Sequence, residues 1–413
     1  MDSNSSPRRV GMVLETAFPP DARVEREATA LIEAGYEVYL LCGHQSEPGA
    51  PAKEVYEGIQ VLRVDPKSTR LPGVYRNLYT RFTGKEADWG MLIADFVTKQ
   101  QIDVLHVHDL KLLKTALGVA KSHPEVRVVA DLHENYPALV GRLTKLRKGE
   151  AKGLKKQRWW EAIERQSLPQ ANKVIVVVEE ARERILQNPA LSPKDVSIVR
   201  NVVDTRKFLS EDLPKLTPEE QALMQDRFIL CYVGHINATH RGVHTVLAAL
   251  PQLIQTIPNL LFVAVGSLRE KYLHESLKPI IDAHQLQDYV YFTGFRDEAA
   301  FAPYIQCADI GLCPHLKTTL TDTTFPNKVF LYSLFEKPVV VSSCIPLERY
   351  IQETDSGLVY EADSPSDLAR TLETLYHSPE KRRDYGEKGR RWVMERYCWD
   401  QEKAILLETY QSL

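Results

Sequence analysis

A cation set just ahead of an apolar helical run, after a glycine-ended strand, is a device for gripping phosphate. The chain carries one at Arg241-Gly242, before Val243 to Leu253 and after the run Phe228 to Val233, which closes in Gly234 and His235. A glycine turn lets backbone N–H groups approach an anion, and the dipole of the following helix favours negative charge at the same place. Strand-end glycines recur at Gly266, after Leu260 to Val265, and at Gly294. Gly294 is followed by Phe295, and such a pair can offer a flat base backbone hydrogen bonds and an aromatic wall. Further on, Asp322 to Lys328 reads DTTFPNK. Pro326 is a helix-start signal, so Lys328 is expected near a helix N-terminus where phosphate or sugar oxygens fit, with Thr323 and Asn327 in the same turn.

The first half holds a second set. His106 and His108 alternate with Leu105 and Val107 and so share one strand face, with Asp109 directly after them. His133 sits in the polar turn DLHEN between Asp131 and Glu134, a setting for handling hydroxyl groups. Arg23 and Glu25 lie at the first strand–helix junction, which Pro19-Pro20 stiffens. Zinc is not indicated, because the histidines lack a third ligand at recognisable spacing, and no DxD-like acidic pair presents itself for another metal. Neither a metal nor a cofactor is expected.

These residues must be positioned by a parallel sheet wrapped in helices, since short β-branched runs alternate with helical periodicity. The strands read Arg9 to Glu15, Glu37 to Cys42, Ile59 to Val64, Val104 to Val107, Val126 to Ala130, Val174 to Val178 and Val196 to Val199. The pattern restarts with Phe228 to Val233, Leu260 to Val265, Val290 to Thr293, Ile310 to Cys313, Pro338 to Ser342 and Gly357 to Tyr360. Between the halves, Asn201 to Pro218 loses the apolar rhythm and reads as a linker. The expected architecture is α/β: two doubly wound, Rossmann-like domains with their strand C-terminal edges facing a central cleft. The first would span 1–205, joined by a closing helix of about 396–413, and the second 206–395.

At 413 residues, 44% apolar, the chain can bury two cores, and a net charge of −3 gives no global field for nucleic acid. No run approaches the ~20 apolar residues of a membrane span, and the polar start MDSNSSPRR lacks the plan of a secretory signal, so a cytoplasmic protein is expected. Six scattered cysteines read as buried free thiols. One local cluster stands out: Arg142 to Trp160 carries eight cations against the single acid Glu150 and ends in two tryptophans. A basic segment with interfacial aromatics is what an anionic membrane surface attracts.

The order of these pieces resembles the retaining GT-B glycosyltransferases of the family 4 type, over nearly the whole chain. The likeness rests on Asp21 to Val24, DVLHVHD at Asp103 to Asp109, DLHENYP at Asp131 to Pro137, NVVD at Asn201 to Asp204, and the second-half motifs through Ser356 to Val359 and Tyr397 to Leu413. It implies transfer of a sugar from a nucleotide-diphosphate donor to a glycan, lipid-linked or small-molecule acceptor. On that likeness Gly234, His235, Arg241, Gly266, Gly294, Phe295, Thr323, Asn327 and Lys328 hold the donor, and Arg23, His108, Asp109 and Glu134 the acceptor. His133 reaches the transferred sugar, and Asp322 steadies the ring cation or the acceptor hydroxyl. The family's two glutamates, eight residues apart, would fall at Thr323 and Leu331, neither of them acidic, and His235 replaces a usual Arg or Lys with a partly protonated group. Two other readings follow from these departures: a degenerate GT-B protein that binds a partner or glycan without turnover, and a sugar-nucleotide epimerase.

Overall fold

The computed structural model describes residues 8–43, 51–66, 72–210 and 212–413. In the first half the apolar runs become β1 (Arg9–Ala17), β2 (Glu37–Gly43), β3 (Lys53–Tyr56), β4 (Ile59–Val64), β5 (Val104–His108), β6 (Arg127–Leu132), β7 (Lys173–Val176) and β8 (Val196–Ile198). They form one sheet in the order β3-β4-β2-β1-β5-β6-β7-β8, every pair parallel except β3 with β4. Burial on both faces explains why β1 and β2 read as near-continuous apolar runs, while β5, equally buried, carries His106 and His108. β3 is an addition to the expected strands. It is four residues long with two exposed positions, and its hairpin turns at Glu57-Gly58, both at positive φ, without the usual Asn-Gly or Asp-Gly signal.

The second half gives β9 (Phe228–Val233), β10 (Leu260–Val265), β11 (Val290–Phe292), β12 (Ile310–Cys313), β13 (Val339–Ser342) and β14 (Gly357–Tyr360). They form a wholly parallel sheet in the order β11-β10-β9-β12-β13-β14. Each sheet reverses direction of strand addition once, between β1 and β5 and between β9 and β12. Ligands of open α/β sheets bind beyond the strand C-termini at such a switch point, and both candidate sites lie there.

The chain divides into two compact units, crossing between Asn201 and Val202 and returning between Gln401 and Glu402. The stretch expected as a linker holds one short helix, Thr205–Phe208, capped by Asp204, and ends where another, Pro218–Met224, begins. The latter opens on a reciprocal capping box. Glu220 N–H donates to the Thr217 hydroxyl and Thr217 N–H to the Glu220 carboxylate, a T-x-x-E signal present in the sequence.

The basic stretch folds as two helices, Tyr136–Lys148 and Glu150–Ser167, joined at Gly149. A Cβ on Gly153 would lie 2.8 Å from the Gly141 carbonyl oxygen, so glycine at the crossing sets how closely the helices pack. Trp160 is buried edge-on against Tyr136, while Trp159 is partly exposed. All six cysteines are free; Cys307 is exposed, contrary to the expectation of burial. Among the described residues no helix is long and apolar enough to cross a membrane.

Candidate functional site

In the first unit, chemistry gathers where β5 and β6 end. The helix Ala22–Glu33, capped by Asp21, buries one stripe that includes Arg23, Val24, Glu27, Ala28 and Leu31, which turns an arginine and a glutamate one turn apart into the protein. Arg23 grips Asp131 through Nε and Nη2 at 3.0 and 2.7 Å, donates to the Val199 carbonyl at 2.9 Å, and pairs with Glu27. Expected at an acceptor, Arg23 is instead only 3% exposed, and what it holds is Asp131. Burial works against ionisation of Asp131, yet Arg23 and His133 hold it well below the usual carboxylate range. For Glu27 burial wins and its pKa rises despite Arg23.

The histidines differ in charge. Burial and the neighbouring His106 push His108 down to about 3, so it is neutral, with Nδ1 3.1 Å from Asp131. His133 also loses by burial, but Asp131 and Asp109 outweigh that and push it up to about 10. It is an imidazolium at neutral pH, with Nε2 2.6 Å and Nδ1 4.0 Å from the two acids. His106, fully buried, meets the Tyr410 hydroxyl at 2.6 Å, which ties the last helix, Trp399–Gln411, to the sheet.

Asp109 follows β5 with φ 65° and ψ 157°, a conformation costly for any residue with a side chain. Its N–H is fixed by the Asp131 carbonyl at 2.8 Å, its carboxyl is raised by burial, and about a third of the side chain stays open to solvent. Strain held at a strand end beside a charged histidine marks the part of this cluster that faces outward. Glu134, next to His133 after β6, is half-buried.

Glu27, His106, His108 and Asp131 place four ligand atoms within 4.8 Å of one another. The sequence reading missed this grouping because Glu27 and Asp131 come from other elements. A cation is already present: Arg23 bridges both carboxylates, and Asp131 Oδ2 is approached by Arg23, His108 and His133 nitrogens at 3.0, 3.1 and 2.6 Å. Beyond these contacts, both Glu27 oxygens, His106 Nε2 and His108 Nε2 are buried without a hydrogen-bond partner among the described residues.

In the second unit the loops after β9, β10 and β11 lie side by side. Gly234 N–H donates to Val265 O at 2.8 Å and Gly266 N–H to Gly294 O at 3.1 Å. A Cβ on Gly266, at φ 137°, would meet the Gly234 oxygen at 2.3 Å, and one on Gly242 would meet the Pro314 oxygen at 1.6 Å. Backbone therefore packs on backbone here, and the Gly234 N–H expected to face an anion is already bonded. The cations take that role. Lys328, at the start of the helix Lys328–Leu334, lays Nζ 3.6 Å from the centre of the Tyr232 ring and beside Gly234. It is 8% exposed, and Nζ has no hydrogen-bond partner among the described residues.

Burial, then the nearby Arg241, hold Lys328 well below its ordinary pKa, and no carboxylate acts on it. Arg241 donates to His315 Nε2 at 3.2 Å, while its Nε has no hydrogen-bond partner among the described residues. His315 is neutral, lowered by burial, Arg241, Lys328 and His240. His235, bonded to the Ser267 hydroxyl, is likewise lowered by burial and the same two cations, so it is neutral where partial charge was expected.

The other predicted residues are placed as follows. Asp322 accepts from Ile345 N–H at 3.0 Å and so caps the helix Ile345–Thr354. The Thr323 hydroxyl donates back to Thr319 O at 2.8 Å, and Leu331 is buried. Asn327 precedes the Lys328 helix half-buried. Gly294 has open space beside it and Phe295 is 67% exposed, as a rim residue would be. His315, Tyr232, Glu27 and Tyr410 were not singled out from sequence. Only Glu27 had a local signal, its i,i+4 spacing from Arg23.

Comparison with known proteins bears on both halves. Residues 22–207 match the family profile "Glycosyltransferase Family 4", and residues 215–392 match "Glycosyl transferases group 1". The chain is 23% identical over 411 residues to the phosphatidyl-myo-inositol mannosyltransferase of Mycolicibacterium smegmatis, covering 98% of this chain and 94% of that protein. Among solved structures it is similar to sucrose-phosphate synthase of Thermosynechococcus elongatus, with TM-score 0.73, 18% identity and 98% of each chain covered. The Anabaena HepE protein in complex with UDP-glucose gives TM-score 0.70 at 15% identity, with 98% of this chain and 100% of that one covered.

Proposed function

Because the chain belongs to the GT-B glycosyltransferases in both of its halves, we propose that it moves a sugar from a nucleoside-diphosphate donor to an acceptor hydroxyl, with retention of anomeric configuration. The observation that carries the reading is the pair Lys328 and Arg241: two cations at one switch point, one of them buried, with no carboxylate acting on the buried one. A buried cation with a tyrosine ring but no hydrogen-bond acceptor is costly, and a diphosphate is an anion that would relieve it.

As the bond from the anomeric carbon to the diphosphate breaks, negative charge grows on the leaving oxygen. Fixed cations that cannot reorganise stabilise that charge most effectively. Neutral His315 accepts from Arg241 and aims its guanidinium. Neutral His235 leaves the turn free of further charge. In the first unit, His133 as an imidazolium donates to sugar oxygens rather than accepting protons, while Asp109 and Glu134 accept from acceptor hydroxyls. UDP and UDP-glucose, bound by the Anabaena protein, are the first probes of choice. The basic helices of 142–160 suit a protein that works against an anionic bilayer.

Titration calorimetry with UDP, GDP and inorganic pyrophosphate tests the site. Arg241→Ala is expected to weaken binding by about 1.5–3 kcal/mol, the range for hydrogen bonds to charged groups. Unchanged affinity removes the diphosphate assignment. The non-catalytic reading is favoured by buried Leu331 and by Thr323, whose hydroxyl is bonded within its own turn. Nucleotide binding without product from any donor and acceptor pair would select it. NMR of the product's anomeric carbon decides retention.

A further inference from the structure

We propose that the exposed apolar face of the helix Gly73–Thr83 inserts into the interface of an anionic bilayer, docked beside the basic helices of 142–160. Val74, Tyr75, Leu78 and Phe82 are 72, 50, 48 and 81% exposed. On a helix these positions fall within an arc of roughly 100°, and Arg81, also exposed, flanks it. A water-facing stripe of that kind lacks the cover that a folded domain gives its amphipathic helices. Arg76, off the stripe, is turned back to Asp88 at 3.3 Å, so the polar side of the helix is the side anchored to the protein.

The helix ends next to the basic pair. Gly84, its C-terminal cap, lies against Ile163 of Glu150–Ser167, and the field at Lys156 includes Glu86, Lys111 and Lys148. Around the turn at Gly149, Lys145, Arg147, Lys148, Lys152, Lys155, Lys156 and Arg158 are all exposed, and the one acid, Glu150, is bonded to Lys145. Leu146 and Leu154, 56 and 49% exposed, stand among them. Apolar side chains with a dense collar of one sign of charge match a lipid surface that is apolar beneath and anionic on top. A water-soluble acidic partner would account for the cations but leave the stripe on Gly73–Thr83 unexplained.

The inference rests on the membrane part of the proposed function and needs no nucleotide. The experiment is cosedimentation of the full chain with vesicles of phosphatidylcholine alone or mixed with phosphatidylglycerol, at low and high salt. Wild type is expected to bind only the anionic vesicles. Leu78→Asp with Phe82→Asp should lower partitioning at least tenfold, whereas Leu78→Ile with Phe82→Leu should retain it. Lys152→Gln, Lys155→Gln and Lys156→Gln together should lower it about a hundredfold, at roughly fivefold for each basic residue (~1 kcal/mol). An unchanged thermal melt and unchanged pyrophosphate binding establish that each variant is folded. If the lysine variant loses binding and the aspartate variant does not, the insertion is refuted while the basic docking stands. If wild type ignores anionic vesicles, both fall, and diphosphate binding is untouched. Self-association of wild type that the aspartate variant abolishes, without vesicle binding, would assign the face to a second copy and overturn the proposal.

Discussion

Lys328→Met separates a ligand-binding cation from a structural one. The replacement keeps an unbranched, apolar stem of similar volume over the Tyr232 ring while deleting a charge with no hydrogen-bond acceptor. Removing a charge-assisted contact to diphosphate is expected to cost about 1.5–3 kcal/mol, or roughly tenfold to 150-fold in affinity for pyrophosphate or UDP by calorimetry. The same change should leave the fold as stable or more stable, because a well-packed apolar group replaces a poorly solvated cation. The pH dependence has a definite sign. Burial and Arg241 lower the pKa of Lys328 in the folded protein, so between that value and the ordinary lysine range the unfolded chain binds the extra proton. Stability of the wild type should therefore rise with pH across that window relative to Lys328→Met, the penalty being complete below the folded pKa. Affinity should move the other way: diphosphate needs the protonated amine, so wild-type binding weakens as pH rises through the window. If the variant unfolds several degrees earlier and binds pyrophosphate unchanged, the lysine is a cation–π strut and the reasoning fails.

Two further outcomes concern the first unit. His133→Ala should reduce turnover more than nucleotide affinity, and wild-type activity should lose the imidazolium's contribution only near pH 10, where His133 gives up its proton; equal loss of both parameters would place His133 away from the sugar. Arg23→Met strands Asp131 and Glu27 without their cation, which is expected to cost about 3–5 kcal/mol in urea unfolding; a change under 1 kcal/mol would mean the carboxylates are neutralised by other means.

Sequence reading reached what is local or periodic. Continuous apolar runs gave both parallel sheets, and Gly234, Arg241 and Lys328 were singled out as candidates because strand-end glycines and helix starts have sequence signals. What stayed hidden depends on partners distant in the chain. Glu27, His106, Asp131 and Tyr410 come from four elements that only the β1/β5 switch point and the last helix bring together. Protonation was equally out of reach: His235 and His315 are neutral because burial and then nearby cations lower them, and His133 is charged because two acids outweigh its burial. The Gly234 amide shows a limit of motif reading, since a glycine turn supplies free N–H groups only if the next strand does not take them.

The two clusters differ in electrostatic balance, and that difference indicates what each one binds. In the first unit Arg23 and His133 stand against Asp131, Glu27 and Asp109, with Glu27 and Asp109 raised toward neutrality by burial, so the cluster is nearly self-compensated. Such a site gains little from a charged ligand and much from hydroxyl groups, which can accept from an imidazolium and donate to a carboxylate in one contact. In the second unit Lys328 lies over a tyrosine ring near two thiols, and Arg241 donates to a neutral histidine. Among the described residues no carboxylate acts on Lys328, so an anion is expected to supply binding energy there. Pyrophosphate should accordingly raise the melting temperature of the wild type while a neutral sugar alone barely does, and the increment should shrink in Lys328→Met and in Arg241→Ala and vanish when both are changed. A stabilisation by pyrophosphate that survives both substitutions would place the anion elsewhere and break the link between charge imbalance and donor binding.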